Sequence, residues 1–374
     1  MSQHRASSAR GPADGAKPVK GLVLAGGHGT RLRPLTFTGN KHMIPIANQP
    51  ILFYGLRHLA EAGIRDVAII LGPIQEGIRE RVGDGSAFGL SVTYIVQGEP
   101  KGLAHAVLCA RDFLGDDPFV MYLGDNLLQS GVQQYLDRFS MEHPDAVVGA
   151  TPVSRPEGYG IVEVSDGKIL SIEEKPAHPR SNLALIGVYL FTPAIHRVIA
   201  ELTPSRRGEL EITDAIWRLW KLHGRVSVLS LDGWWKDTGH PDDLLEANEL
   251  VLRTMPRSGF SMNGTVESGA KVEGLVGMGA GSVIESGARV IGPSVVGSGV
   301  RVGAGSVVGP NAALGDRVVL SRSRVARSIV LEGAHLEGVS VVNSLIGRNV
   351  EIRSSAPVTS EITLTIGDSS RILL

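Results

Sequence analysis

The sequence has a single cysteine, Cys109, and no long apolar run. One thiol excludes an internal disulfide framework and a zinc site built on cysteines. No stretch of about 18 apolar residues occurs, so we expect no membrane-spanning helix. The formal net charge of −1 excludes the strong basic field typical of nucleic-acid-binding proteins. Residues 1–18 lack the apolar segment of a secretory signal and are rich in Ser, Ala, Gly and Pro, which predicts a disordered tail. We therefore expect a soluble, cytoplasmic protein without nucleic-acid or membrane partners.

From residue 19 to about residue 253, apolar runs alternate with helical patterns. The runs KGLVLAG, DVAIILG and PFVMYLGD predict strands. The segment PILFYGLRHLAEAG predicts a helix, because it has a proline near its start and a glycine just past its end. Strand–helix–strand alternation is typical of α/β proteins, and we predict a Rossmann-like, mostly parallel sheet covered by helices. Ligands of such sheets bind beyond the carboxyl ends of the strands.

After about residue 258 the helical patterns stop and glycine becomes frequent. One aliphatic residue then recurs every six positions, at Val266, Val272, Met278, Ile284, Val290, Val296, Val302, Val308, Leu314 and Leu320. This period is typical of a left-handed parallel β-helix, in which each hexapeptide forms one side of a triangular prism. The phase slips after Leu320 and resumes at Val330, Leu336 and Val342. We predict an α/β domain at 19–253, a linker at 254–262, and a β-helix with terminal strands at 263–374.

The loop LAGGHGTRLRPLTFTGNK, residues 24–41, follows the first predicted strand. Glycines directly after a strand let backbone N–H groups approach a ligand closely, and Arg31 and Lys41 indicate that this ligand is an anion. The loop is not a dinucleotide fingerprint, because Leu32 stands where the third glycine belongs, and no Walker loop is present. The loop predicts a phosphate-binding cradle, although a plain tight turn is the alternative.

Further motifs follow in the N-terminal half, and each alone could be an ordinary turn or helix start. They are QGEPKG, LGDN, YG, EEKP, RGELEITD and WKDTG. Together with GGHGTRLRPLT and a lysine ten residues after Arg31, they occur in the order typical of sugar-1-phosphate nucleotidylyltransferases. The chain resembles that family over residues 19–374. It is most similar to glucose-1-phosphate thymidylyltransferases of the long form, which carry a C-terminal hexapeptide β-helix.

The resemblance implies a Mg²⁺-dependent in-line displacement, in which dTTP and glucose-1-phosphate give dTDP-glucose and pyrophosphate. The attacking group is a phosphate oxygen that is already ionised, so no general base is needed. Mutual repulsion of the two anions and the charge on the leaving pyrophosphate are the obstacles. Cations, a metal ion and positioning provide catalysis in such transfers.

The resemblance also assigns roles to individual residues of this chain. The catalytic residues would be Arg31 on the pyrophosphate, Lys41 on the α-phosphate, Asp125 and Lys175. The nucleotide would lie against Leu24, Gly26, Gly27, Gly29, Thr30, Gln97, Pro100 and Gly102. The sugar phosphate would lie against Tyr159, Gly160, Glu174, Lys175, Leu185, Tyr189 and Arg207. Asp125 and Asp237 would hold Mg²⁺.

Several alternatives stay open at this point. His42 stands where the thymidylyl enzymes commonly have glutamine, so UTP with glucose- or N-acetylglucosamine-1-phosphate is an alternative substrate pair. A sugar-nucleotide sensor without activity is a less favoured alternative, because such relatives typically lose the cations or the metal carboxylates. The β-helix could be an acyltransferase that uses His335, but we favour a structural or assembly role. We also expect a homo-oligomer.

Overall fold

The computed structural model describes residues 17–73, 75, 77–355 and 360–374. Most of the predicted tail, residues 1–16, therefore lies outside the described residues. No helix in the described part of the chain is long and apolar enough to cross a membrane.

A mixed sheet occupies the centre of the N-terminal half. The strands of this half are β1 (Lys20–Ala25), β2 (Pro45–Ile46), β3 (Gln49–Pro50), β4 (Asp66–Leu71), β5 (Ser91–Val96), β6 (Phe119–Leu123), β7 (Asn126–Leu128), β8 (Ala146–Pro152), β9 (Gly160–Ser165), β10 (Lys168–Glu174), β11 (Leu183–Phe191), β12 (Val226–Ser230) and β13 (Trp235–Asp237). The main sheet runs β10-β9-β11-β6-β1-β4-β5, with β8 pairing with both β11 and β12. Two small pairs, β2-β3 and β7-β13, lie beside it.

The centre of the sheet is parallel, and one side of it is antiparallel. β6, β1, β4 and β5 pair in parallel, whereas β11 runs antiparallel to β6 and β8. β9 and β10 form a hairpin through Asp166 and Gly167, which both have positive φ and form the kind of two-residue turn that hairpins prefer. The predicted Rossmann-like α/β fold is confirmed, and the antiparallel strands extend it.

Helices cover both faces of the sheet. They are α1 (Ile51–Glu61), α2 (Ile78–Val82), α3 (Leu103–Cys109), α4 (Arg111–Leu114), α5 (Gln133–Glu142), α6 (Ala194–Ala200), α7 (Ile212–His223) and α8 (Pro241–Thr254). Alternate residues of β1 serve the two faces, as the strand period of two requires. Leu22 and Leu24 pack with α3, α6 and α7, whereas Val23 and Ala25 pack with α1, α2 and α5.

The C-terminal part is a parallel β-helix with three ladders of short strands, as predicted. The strands are β14 (Thr265–Val266), β15 (Lys271–Glu273), β16 (Val276–Met278), β17 (Val283–Ile284), β18 (Arg289–Ile291), β19 (Ser294–Val296), β20 (Arg301–Val302), β21 (Val307–Val308), β22 (Ala313–Leu314), β23 (Val319–Ser321), β24 (Arg324–Ala326), β25 (Ile329–Val330), β26 (His335–Glu337), β27 (Ser340–Val342), β28 (Leu345–Ile346), β29 (Glu351–Arg353), β30 (Thr365–Ile366) and β31 (Arg371–Leu373). Ten of the predicted inward residues, namely Met278, Ile284, Val290, Val296, Val302, Val308, Leu314, Leu320, Val330 and Leu336, belong to one buried core, and Val272 packs against it.

The coils of the β-helix differ in length, and this corrects one predicted core position. Ile284 lies beside Val302, which lies beside Leu320, so these coils take 18 residues each. The following coil is two residues shorter, because Leu320 lies beside Leu336. Val341, not the predicted Val342, is therefore the buried residue of its strand. Val266 is 41 % exposed, because no coil covers the start of the β-helix on that side.

A shared apolar core joins the two parts of the chain. We call it the interdomain core, and it consists of side chains from the loop after β1, from α8 and from one face of the β-helix. Leu32, Leu35 and Ile44 contribute from the loop, and Ala313 and Leu345 contribute from the β-helix. Asn248 reinforces it by hydrogen bonds to Ala47 N at 2.9 Å and to Asn311 O at 3.2 Å. The β-helix is therefore packed directly beneath the glycine loop.

Buried serines link successive coils at the corners of the β-helix. Ser328 is fully buried, donates from Oγ to Ala326 O at 2.7 Å and accepts from the N–H of Ser344 at 3.0 Å. Ser282, in an earlier coil, donates from Oγ to Gly297 O at 2.7 Å and accepts from the N–H of Val300 at 2.9 Å. A serine at such a corner satisfies a backbone donor that neither water nor the ladders reach.

We expect the substitution Ser328→Ala to lower the free energy of unfolding by about 1–3 kcal/mol, because it leaves the buried N–H of Ser344 without its acceptor. Urea titration of the full chain measures this change. The matched control is Ser298→Ala at an exposed turn, for which we expect a change within about 0.5 kcal/mol. Equal stabilities of the two variants would contradict the role assigned to the buried serine.

Candidate active site

Lys41 and Asp125 form an ion pair at the carboxyl ends of β1 and β6. The loops that follow these strands meet there, because the strands are parallel neighbours. The Lys41 ammonium contacts Oδ2 of Asp125, and Asn126 donates from Nδ2 to Oδ1 of Asp125 at 3.0 Å. Burial alone would raise the pKa of Asp125, but Lys41 and His42 hold it below its usual value. Asp125 is therefore an anion at neutral pH.

The glycines of the loop leave room for the Lys41 side chain. A Cβ atom on Gly27 would lie 2.7 Å from Cε of Lys41, and one on Gly29 would lie 2.9 Å from its Cβ. Gly29 also has a φ of 63°, in the left-handed region that favours glycine. Thr36 donates from Oγ1 to Gly29 O at 2.7 Å. Gly27 and Thr30 are exposed, so this part of the loop faces open space above Lys41.

Asp237 lies beside Asp125 because β13 pairs with β7. In that pair Asp237 lies opposite Asn126, and Thr238 donates from Oγ1 to Asp125 O at 2.7 Å. Burial and the nearby Asp125 carboxylate raise the pKa of Asp237 to about 7. The Arg31 guanidinium also lies near Asp237. A Cβ on Gly239, which follows Thr238, would lie 3.5 Å from this guanidinium. Two residues that are 112 positions apart in the sequence thus form one carboxylate pair.

This carboxylate pair fits a divalent cation that is shared with a ligand. The pKa of Asp237 is raised first by burial and then by repulsion from the Asp125 carboxylate, and a cation relieves this repulsion. Mg²⁺ takes one or two protein carboxylates and completes its shell with phosphate and water oxygens. The described residues hold no group of three or more His, Cys, Asp or Glu side chains placed to bind a metal ion. The two carboxylates could hold such an ion only together with oxygens from a substrate and water.

Gln97 lies at the end of β5 and is only 7 % exposed. Its Nε2 lies 2.8 Å from Nδ1 of His105, and its Oε1 faces the glycine loop, 3.6 Å from where a Cβ on Gly26 would be. The ring nitrogen thus orients the carboxamide, with its oxygen toward the loop. Gly102 is required for close packing, because its φ is 102° and a Cβ there would lie 2.5 Å from Leu210 O. The sequence analysis missed His105, which stands in the same QGEPKGLAH segment as Gln97.

A charged cluster contains three of the seven residues that the sequence resemblance assigns to the sugar phosphate, namely Glu174, Lys175 and Arg207. Arg207 donates from Nη1 to Oε1 of Glu174 and to Oε1 of Glu211, both at 3.2 Å. Thr213 donates from Oγ1 to the other oxygen of Glu174 at 3.2 Å. Burial raises the pKa of Glu174. Nζ of Lys175 lies 3.9 Å from Oε1 of Glu174. Lys175 also has a φ of 43°, a strained value for a residue with a side chain.

The remaining predicted residues lie around these groups. Gly160 lets Glu174 come close, since a Cβ there would lie 3.1 Å from Oε2. Leu24, Leu185 and Tyr189 are buried in the sheet, and Pro100 is exposed on the loop before α3.

Asn126 and Trp235 connect the carboxylate pair to the ring of Tyr159. Trp235 donates from Nε1 to Oδ1 of Asn126 at 2.6 Å, and Gly187 N donates to the same oxygen at 3.2 Å. The Tyr159 ring packs edge-on against Trp235, with 5.5 Å between the ring centroids. The motifs LGDN, YG and WKDTG therefore meet in one place. The sequence alone did not assign Asn126 a role, although it follows Asp125 directly.

His42 is buried behind the ion pair and is neutral. Its Nδ1 lies 2.7 Å from Oδ1 of Asn40, and the N–H of His42 donates to the same oxygen at 2.9 Å. Burial and the neighbouring Lys41 lower the pKa of His42 to about 3. Its ring also faces Gly124, where a Cβ would lie 3.1 Å from Cδ2. His42 therefore packs on the buried side of the Lys41 segment.

Known proteins share this arrangement of sequence and fold. Residues 20–254 match the family model described as nucleotidyl transferase. A glucose-1-phosphate thymidylyltransferase of Streptomyces griseus is 49 % identical over 94 % of this chain and 99 % of its own length. The same-named protein of Streptomyces antibioticus is 44 % identical over 95 % and 99 %.

A solved structure gives the same result for the N-terminal half. It comes from Bacillus anthracis, is described as a glucose-1-phosphate thymidylyltransferase in complex with sucrose, and is 38 % identical with a TM-score of 0.59. It covers 62 % of this chain, and 94 % of that chain is matched. The family resemblance found in the sequence is confirmed, and this chain belongs to the nucleotidyl transferase family, together with the glucose-1-phosphate thymidylyltransferases.

Proposed function

We propose that the protein transfers a thymidylyl group from dTTP to glucose-1-phosphate, giving dTDP-glucose and pyrophosphate. The observation that carries this proposal is the Lys41–Asp125 pair beneath an open glycine loop, with Asp237 beside it. This arrangement offers one free face of backbone donors and two cations, Arg31 and Lys41, to a polyphosphate. The relatives named above share the chain over nearly its full length, which supports the choice of substrates.

The nucleotide side would work by charge and position. The backbone of Gly26, Gly27, Gly29 and Thr30 would donate to the phosphates. Lys41 would stabilise the α-phosphate as a point charge, and Arg31 would bind several oxygens of the departing pyrophosphate. Because the attacking oxygen is already ionised, no residue has to remove a proton.

Asp125 and Asp237 would hold Mg²⁺. When bound, the ion would neutralise charge on the phosphates of the nucleotide. The carboxylates keep two further tasks that the described contacts define. Asp125 aligns Lys41 through their ion pair, and Asp237 lies where Arg31 approaches.

The sugar and base sides follow from the two clusters around them. Glu174 would accept hydrogen bonds from hydroxyls of glucose, while Lys175 and Arg207 would face the phosphate group. The walls of this sugar site would be formed by Tyr159, Gly160, Leu185 and Tyr189. Gln97 would read the pyrimidine edge, with Leu24, Pro100 and Gly102 around it. The carboxamide oxygen of Gln97 faces the glycine loop and suits the N3–H donor that thymine and uracil share. UTP therefore stays the alternative nucleotide.

We also propose a division of the chain into an α/β domain at 19–253, a linker at 254–262 and a β-helix at 263–374. The β-helix would have a structural role, because His335 lies within a ladder strand next to Val319 and Glu351. A homo-oligomer is supported by exposed apolar side chains near the start of the β-helix, namely Met262, Val266 and Leu275. A cytoplasmic location is part of this proposal.

The test of this function is pyrophosphate release by the purified full chain with Mg²⁺ over a grid of substrates. The grid crosses dTTP, UTP, GTP, CTP and ATP with the 1-phosphates of glucose, galactose, mannose and N-acetylglucosamine. We expect the highest kcat/KM for dTTP with glucose-1-phosphate. A maximum with UTP would support the uridylyl alternative, and a folded protein that binds nucleotide without turnover would be a sensor.

We expect Lys41→Met and Asp125→Asn each to lower kcat by about 10²–10³-fold, because each removes a positioned charge at the reacting phosphate. Lys168→Met is the matched control, since Lys168 is an exposed lysine at the hairpin end of β10. Its kcat should stay within about twofold of the wild type. Near-wild-type turnover of the Lys41 variant would show that the reaction occurs elsewhere.

His42→Gln should flatten the pH dependence of stability. The folded pKa of His42 is about 3, below the unfolded value, so its neutral form stabilises the fold above pH ~6.5 and this contribution is lost as the pH falls. The wild type should lose up to about 1.4 kcal/mol per pH unit below 6.5 through this residue, and the variant should not. His58 and His196, with pKa values near 4, keep part of the slope in both proteins.

Urea unfolding at pH 7.5 and pH 5.0 measures the difference. Identical slopes for wild type and variant would contradict the buried, neutral state of His42.

A further inference from the structure

The last coils of the β-helix contact the loop that carries Lys41. We define the Lys41 loop as residues 33–43, the part of the segment after β1 that follows the glycines and contains Lys41. Thr38 in this loop donates from Oγ1 to Oδ2 of Asp368 at 2.7 Å, across 330 positions of sequence. A hydrogen bond to a charged acceptor is among the stronger single contacts in proteins. The C-terminal end of the chain thus reaches the neighbourhood of the candidate active site.

Asp368 is held in place by the β-helix itself. Its Oδ1 accepts from the N–H of Arg348 at 2.7 Å, and its Oδ2 lies 3.4 Å from Nη1 of the same residue. The Asp368 side chain is only 11 % exposed, whereas Thr38 is exposed. The carboxylate is therefore a fixed anchor on the β-helix, and the loop is the partner that it orders.

Close packing supports the same contact on both sides of the hydrogen bond. A Cβ on Gly367 would lie 3.1 Å from Cβ of Pro34 and 3.2 Å from its carbonyl oxygen. A Cβ on Gly39 would lie 3.7 Å from Nη1 of Arg348. Pro34 and Gly39 lie on either side of Thr38 in the sequence, so the last coils of the β-helix contact the loop at three positions.

The contact continues from the loop to the reacting groups. Thr36 donates to Gly29 O, and Gly29 lies against Lys41 without room for a Cβ. The interdomain core holds Leu35 and Ile44, near the two ends of the loop, against the β-helix. A shift of the loop away from Asp368 would therefore move both the glycine cradle and the Lys41 ammonium.

We propose that Asp368, with Arg348 and Thr38, is a positioning group of the active site: the β-helix holds the Lys41 loop in the geometry that places Lys41 on the nucleotide. The consequence for turnover rests on the proposed function of Lys41. We call the contact of Asp368 with Thr38 the clamp. Its effect on the order of residues 33–43 does not depend on the function of Lys41. The β-helix is then part of the catalytic apparatus without touching a substrate.

The test uses the full-length protein and two variants that loosen the clamp from opposite sides. Thr38→Val removes the hydroxyl at constant shape, and Gly367→Ala places a methyl group against Pro34. Thr38→Ser restores the donor. The control is Thr363→Val, which removes an exposed threonine hydroxyl within the β-helix that donates to Val342 O at 3.1 Å.

Hydrogen exchange by mass spectrometry and steady-state kinetics are measured on each protein. We expect Thr38→Val and Gly367→Ala to raise exchange about 10-fold in peptides covering residues 33–43, with little change in β-helix peptides. They should lower kcat with dTTP by about 3- to 10-fold at an unchanged KM for glucose-1-phosphate. Thr38→Ser and Thr363→Val should match the wild type in both measurements.

Two results would overturn the proposal. Unchanged exchange over residues 33–43 in both loosening variants would show that no clamp exists. Raised exchange with unchanged kcat would show that the clamp orders the loop but does not place Lys41. Exchange needs no turnover, so a wild type that releases no pyrophosphate from any substrate pair would refute the proposed function while exchange still decides on the clamp.

Discussion

The ion pair between Lys41 and Asp125 is the contact on which the rest of the site depends. Each side chain is 16 % exposed, and charges so far removed from water are stable only when they are paired. The pair connects the glycine loop after β1 to the turn after β6, which the parallel sheet brings side by side. It also places a second carboxylate, Asp237, next to the first, where its pKa rises. A polyphosphate with a divalent cation would satisfy these charges, which explains why this edge of the sheet suits phosphoryl chemistry.

The β-helix adds a rigid body to an α/β domain whose active-site loop is irregular. The segment from Thr30 to Met43 contains short 3₁₀ turns as its only regular secondary structure. Its apolar side chains enter the interdomain core, and its polar tip meets the last coils. Parallel ladders and buried serines keep those coils in register over the whole length of the β-helix. The regular β-helix thus holds a loop that has little regular secondary structure.

Much of this architecture could be predicted from the sequence, because it depends on periodicity and on short motifs. The six-residue period predicted the β-helix, and ordered motifs predicted which loops meet. Val341 was missed because a two-residue change in coil length leaves no local signal before the ladder partner Val325 is known. His105, Asn126 and Thr213 were missed because their importance lies in contacts with distant residues, namely Gln97, Trp235 and Glu174. The clamp at Asp368 was beyond sequence analysis for the same reason.

The central claim is that this site acts by charge and position in a single displacement, without a covalent intermediate on the protein. The most direct measurement is isotope exchange between radiolabelled pyrophosphate and dTTP in the presence of Mg²⁺. Without glucose-1-phosphate, we expect no label in dTTP, because pyrophosphate leaves only as the sugar phosphate attacks. Label should enter dTTP once glucose-1-phosphate is added. Rapid exchange in the absence of any sugar phosphate would show that the protein itself accepts the nucleotidyl group, and would contradict the account.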